Sequence, residues 1–413
     1  MTLQQECTII RELAKKYKEI AANEKNHERY ERAKGINDLR VARPIVWLDE
    51  IPWHEMDIGE MLFCRCESDE AKEIETWLRR QLYRWDYIQA DMVAESVYRI
   101  SKAYDSTGIG MDVWEDVLIT DASNHIISHH YKDQLETKEQ VYQLKIPIIT
   151  ARPDLDDKKV DFAREMLDEV LPVSLCGHLS YHAPWDEIPR LRGVEPILMD
   201  MVDRPEHLHR IRKFFMDAGL STYEQMERQG LLDIEASSLH CTPPYTDDLP
   251  AADYSGGSIR MKDTWFRGMA QMFSTVSPEM FKEFELDYMR PVMERFGLCY
   301  YGCCEPLDDR LALLKGIPNM RKLGVTPWAN IRSCAEQIGK DYVFAFKPNP
   351  ALVGGDTLDE EAIQREVIEA VEACLAYGCP YEFVLKDIST VSYKPQNLIR
   401  WVQIVENVLE RYY

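Results

Sequence analysis

The chain has 413 residues, 45% hydrophobic and 29% charged, an ordinary globular composition that excludes disordered and fibrous classes. Its 49 Lys and Arg stand against 71 Asp and Glu, a net charge of −22. That balance disfavours nucleic acid and anionic membrane surfaces, both of which call for a basic face.

No apolar run approaches the length of a membrane span, so no membrane association is expected. The first residues alternate charged with apolar side chains and lack the apolar centre of a signal peptide. The 11 cysteines are irregularly spaced and do not read as a disulfide framework. A reducing, cytoplasmic location is the expectation.

In chain order, residues 1–40 read as a helical extension, with Ile9, Ile10, Leu13 and Tyr17 at helical spacing. The apolar run 42–48 follows, ending in Asp49 and Glu50, then an acidic helical stretch over 67–88 and a candidate strand, Tyr87–Val93. Residues 111–145 break the rhythm. Val113, Val117 and Ile119, then Ile126 and Ile127 across Asp121–Asn124, read as a β-hairpin excursion. From 154 a helix leads to a strand at Leu171–Cys176, and two helical stretches over 194–229 lead to Leu231–Glu235.

Ser277-Pro-Glu opens the next helix: Ser caps, Pro suits the first turn, and Glu complements the dipole. Strands then follow at 298–301, 321–325, 342–346 and 381–385, with helices over 307–315, 331–338, 359–376 and 395–410. Repeated strand–helix units imply a parallel sheet, and no Gly-x-Gly-x-x-Gly marks a dinucleotide site. The reading is one domain over 1–413, an α/β (β/α)8 TIM barrel with an N-terminal helical extension and a β-hairpin insertion.

Barrel chemistry sits where strands end. The strand ends offer Asp49 and Glu50; His240 and Cys241; Cys303, Cys304 and Glu305; Lys347 and Asn349; Lys386 and Asp387. If the strand at Leu298 runs on, Tyr301, Cys303 and Glu305 share the inward face and Cys304 points away. A thiolate and a carboxylate on one face either hold zinc or carry protons, whereas a buried free thiol needs neither. Trp47, Trp53, Trp185, Trp265 and Trp328 lie at or beyond strand ends, where aromatic walls suit a methoxyarene or quaternary amine and equally a packed core.

Four stretches together resemble the uroporphyrinogen decarboxylase superfamily: Val276–Phe284; Tyr301-Gly-Cys303; Phe346-Lys-Pro-Asn-Pro350 with Gly-Gly-Asp-Thr357; and Leu191–Met201 with Arg204-Pro-Glu206. The resemblance covers residues 170–410 well and the N-terminal part loosely, and it implies a (β/α)8 barrel. True decarboxylases of that superfamily carry an Arg-rich N-terminal segment for porphyrinogen carboxylates. Here only Arg40 and Arg43 stand near the acidic pair Asp49 and Glu50.

The chain is closer to the corrinoid-dependent methyltransferase branch, whose zinc motif is His-x-Cys with a later Cys. Tyr301 stands at the His position, Cys303 at the Cys position, and the late strand through Ser389 carries no Cys. Any bound zinc is therefore expected at Cys303 with Glu305 and His240. The resemblance implies methyl transfer between a small methoxylated or methylated-amine donor and a corrinoid-binding partner protein. The expected catalytic residues are Glu305, Asp49, Lys347 and Tyr301, with Trp47, Trp265, Trp328 and Lys386 on the substrate. The alternative is a decarboxylase-like lyase, with Lys347 or Lys386 holding a carboxylate.

Overall fold

The computed structural model describes residues 1–119, 127–234 and 239–413. Thr2 opens helix Leu3–Ala21 through a capping box with Gln5, and Asn23 caps Glu24–Asn37. The N-terminal extension is thus two helices. The first packs on Asp69–Tyr83 and Pro153–Leu167 around Ile10, Leu78 and Met166, an apolar cluster of its own.

Seven strands form one parallel sheet, in the order Val46–Leu48, Tyr381–Leu385, Val343–Phe346, Met320–Val325, Leu298–Tyr301, Trp265–Gly268, Ser180–His182. Helices Ile331–Ile338 and Glu360–Tyr377 connect successive strands and Pro395–Leu409 follows the last one, close to the sequence expectation. Glu115–Leu118 and Ser128–Tyr131 pair antiparallel, as the hairpin reading expects. The turn Asp121–Asn124 and Ile126 lie outside the described residues.

The expected eight-stranded barrel is met in part, because two expected strands make no ladder. In Tyr87–Val93, Asp91 makes one parallel bridge to Trp47. Its Oδ2 accepts the Val46 N–H at 2.8 Å, doing with a side chain what a paired strand does with a carbonyl. In Leu231–Glu235, Leu232 bridges His178 alone, and Glu235 lies outside the described residues. A separate parallel pair, Tyr98–Ser101 with Val173–Cys176, accompanies this seam. The sheet is consistent with a barrel that is not fully closed.

Strand alternation sorts the side chains. Phe266, Tyr301, Leu323, Phe344 and Phe383 join the main apolar core, while Trp265, Leu298, Tyr300 and Ala345 pack together on the other face. Among the described residues no helix is long and apolar enough to cross a membrane.

Candidate active site

Alternation fails at one residue beyond the strand Leu298–Tyr301. Gly302 has φ +95, a left-handed conformation that side chains resist, and it redirects the chain. The expected common face of Tyr301, Cys303 and Glu305 is therefore not formed. Tyr301 is buried on the helix side, its hydroxyl donating to Glu285 Oε1 at 3.0 Å beneath Trp185 and Arg212. Tyr300 takes the inward place.

The turn brings both thiols together, correcting the expectation that Cys304 points away. Cys303 and Cys304 Sγ lie 3.6 Å apart, and Cys304 Sγ donates to Asp387 Oδ2 at 3.0 Å. Lys386 Nζ donates to the same Oδ2 at 2.6 Å and lies 3.8 Å from Glu50 Oε2. Glu50 in turn accepts the Asp387 N–H at 2.8 Å. Glu50, His240, Cys241 and Asp387 all hold positive φ, so this mouth is built from backbone that costs energy to hold.

The Cys303 thiol is held well below its usual range by the hydrogen bond from Cys304, aided by His240, Arg267 and Lys386 against the opposing effect of burial. Cys304 moves the other way, because it keeps the proton that Cys303 gives up and is itself buried. Cys304 Sγ thus faces two groups that can share its proton, Cys303 Sγ and the Asp387 carboxylate. Met269 and Ala183 pack against the thiols. Nearby, the Tyr181 hydroxyl donates to Asp186 Oδ2 at 3.2 Å, and the Asp186 carboxyl is raised by burial and by the Cys303 charge.

Glu305 is buried, but both its oxygens are committed to backbone. Oε1 accepts the Ala270 N–H at 3.0 Å and Oε2 the Cys303 N–H at 2.9 Å. Burial, then the Cys303 charge, push its carboxyl up to about 7. It shapes the turn that carries the thiols instead of standing free as a ligand.

Below the mouth runs a row of cations. Arg267 and Lys322 flank Tyr300 in register on either neighbouring strand. The Arg267 guanidinium carbon lies 3.8 Å from the Tyr300 ring centre, with Lys347 Nζ at 5.2 Å and Lys322 Nζ at 5.6 Å. Lys322 is paired with Glu382 at 2.9 Å. Among the described residues, Lys347 Nζ hydrogen-bonds the Cys241 thiol alone, at 3.7 Å.

The other expected residues scatter. His240 lies tilted beside Tyr181, ring centres 4.8 Å apart, and helps to hold the Cys303 thiol low. Trp47 and Asp49 line a cavity of about 280 Å³ with Tyr17, Trp77 and Arg84. Trp265 is wholly buried, its indole N–H donating to Pro244 O at 2.8 Å, and Trp328 is 65% exposed on the outside. Neither is brought to the thiols. Lys386 is. Cys304 and Asp387, which stood among the strand-end residues but not among the expected ligands, join it, and Asp186 and Arg267 complete the site without having been singled out.

Cys303, Cys304 and Asp387 place two sulfurs and a carboxylate oxygen within 4.8 Å of one another. Zinc takes such a donor set, and Zn–S bonds of about 2.3 Å in a tetrahedron set two sulfurs about 3.8 Å apart. The observed sulfur separation of 3.6 Å fits. Binding would displace the Cys304 proton, and three protein ligands leave a fourth position for substrate. This set replaces the expected one of Cys303, Glu305 and His240: Glu305 is spent on backbone, and His240 lies outside the group.

No family model and no curated protein matches the chain. Among the solved structures, 18 chains are similar. One is a methyltransferase from Methanosarcina mazei, at 12% identity and TM-score 0.49, the match covering 92% of this chain and 98% of that one.

Proposed function

We propose that this chain is a methyltransferase, moving a methyl group between a small methoxylated or methylated-amine compound and a corrinoid protein. The observation that carries the reading is the Cys303–Cys304–Asp387 cluster at the ends of the strands Leu298–Tyr301 and Tyr381–Leu385. In the superfamily that the sequence resembles, the methyltransferases draw their zinc ligands from a motif like Tyr301-Gly-Cys303 and from the late strand. Here Cys304 and Asp387 would supply what the absent His and late Cys supply there.

In the donor direction, the methyl carbon leaves its oxygen or nitrogen without the bonding electrons, and reduced cobalt supplies the pair for the new bond. The heteroatom keeps its own pair and takes up a proton. Zinc, when bound, supplies Lewis acidity at that atom. Asp186, whose carboxyl is raised above its usual range by burial and by the Cys303 charge, is the carboxyl that would supply the proton. Lys386, fixed between Asp387 and Glu50, offsets charge on the departing group.

A decarboxylase-like lyase is the second reading, favoured by Arg267 and Lys347, two buried cations with no carboxylate partner among the described residues. The acidic rim of Glu50, Asp186 and Asp387 repels a substrate with many carboxylates, which argues against a porphyrinogen. Incubation with reduced corrinoid protein and a panel of methylated compounds separates the two. Corrinoid methylation supports the transferase; carbon dioxide release from a carboxylated substrate, with no methylation by any donor, establishes the lyase.

A further inference from the structure

Arg267 is fully buried, and only one of its three nitrogens is used: Nη1 donates to Gly268 O at 2.8 Å. Nε and Nη2 have no partner among the described residues. These two nitrogens lie on the same edge of the guanidinium and form a planar side-on fork, the edge that matches a carboxylate with two parallel hydrogen bonds. The Tyr300 hydroxyl, on the residue paired with Arg267, is likewise buried and unpartnered. Lys347 adds a second buried cation against the same ring, its one hydrogen bond among the described residues going to the Cys241 thiol.

Two buried cations with no carboxylate bonded to them among the described residues, and an empty hydrogen-bonding edge, are costly to hold in one interior layer. Glu382, a buried carboxylate in that layer, is already occupied by Lys322 and Thr242. Tyr300 offers a ring face, which moderates the charge but accepts no N–H in the plane of the fork. The missing charge is planar, negative and able to accept two parallel N–H bonds.

We propose that Arg267 binds a carboxylate of the substrate through its Nε–Nη2 edge, with Lys347 as second cation, so that the substrate is a carboxylic acid held by its acid end in the barrel interior. The inference rests on the proposed function only in placing that substrate at the thiol-bearing mouth. Its test measures binding without turnover, so each can fail alone.

The full chain is titrated with acetate, benzoate and 4-methoxybenzoate, with inorganic phosphate as a rival oxyanion and methyl benzoate as an uncharged control. Thermal stability and calorimetry are the readouts. At least one carboxylate raises Tm by several degrees, and Arg267→Gln and Arg267→Lys each weaken it about tenfold or more, since Lys cannot present the fork. Lys347→Met weakens binding as well, and guards against misfolding of the Arg267 variants. Ligand-free Arg267→Gln melts at or above wild type, because an unpaired buried charge has gone. The proposal is overturned if no carboxylate shifts Tm, if the shift is the same in Arg267→Gln, or if phosphate stabilises as strongly as the best carboxylate.

Discussion

Glu305 Oε2 accepts the backbone N–H of Cys303 at 2.9 Å, so the carboxyl group binds the turn that presents the thiol rather than the thiol itself. With Oε1 on the Ala270 N–H, it joins two loops of the mouth through one side chain. Gln in its place must turn an amide N–H₂ toward one of these two donors. Glu305→Gln is expected to lose about 1–3 kcal/mol of stability, the cost of leaving a buried N–H unsatisfied. Urea denaturation reads it. Wild-type stability combined with a turnover loss of roughly 10²–10⁴ would instead mark a proton donor.

Gly302 is the second device that aims the thiols. A Cβ there would stand 2.4 Å from Leu307 Cδ1, on a backbone of φ +95. Gly302→Ala is expected to cost at least about 1–2 kcal/mol from the left-handed conformation alone. Thermal melts that leave Tm unmoved would show that the turn relaxes freely.

The phase of the site was illegible in sequence for this reason. Period-two reasoning carried Tyr301, Cys303 and Glu305 onto one face, and it holds only while the chain stays extended; the reversal at Gly302 moves Tyr301 under the helices and Cys304 beside Cys303. The late strands were legible because Val343–Phe346 and Tyr381–Leu385 are continuous apolar runs buried on both faces. Ser277 was legible as a cap and accepts the Met280 N–H at 3.3 Å. Arg267 was not, since a short strand carrying a charge at its centre gives no apolar run to read. Asp387 stood among the strand-end residues, yet only the folded chain sets it against a thiol 83 residues away.

His182 predicts a pH dependence of stability. Burial pushes its ring from 6.5 down to about 3, so the folded chain keeps it neutral. The unfolded chain binds the proton at higher pH, so stability falls as pH drops below about 6.5, by about 1.4 kcal/mol per unit once the unfolded ring is fully charged. Glu305, raised from 4.5 to about 7, works in the opposite sense, with stability falling as pH rises through that window. Comparing wild type with His182→Gln cancels the Glu305 contribution. The difference in unfolding free energy between the two should grow less favourable to wild type from pH 6 to pH 4.5, and a flat difference would refute the burial argument.

Elemental analysis tests the ligand set. Zinc is expected in the purified chain, lost in Cys303→Ala and Cys304→Ala, weakened in Asp387→Ala and retained in His240→Ala. Losing either thiolate leaves too few strong ligands to hold the ion, losing the carboxylate leaves both sulfurs and a weaker site, and His240 only supports the sulfur. Zinc that survives Cys303→Ala would place the metal elsewhere.

The most direct test of the account is the rate at which the zinc-loaded chain methylates reduced corrinoid from a methylated carboxylic acid such as 4-methoxybenzoate or a betaine, compared with Cys303→Ala. The account predicts methyl-corrinoid formation with at least one donor and its loss in the variant, with the variant's fold intact by circular dichroism. Methylation that continues unchanged in Cys303→Ala, or no methylation from any donor by zinc-loaded wild type, would contradict it.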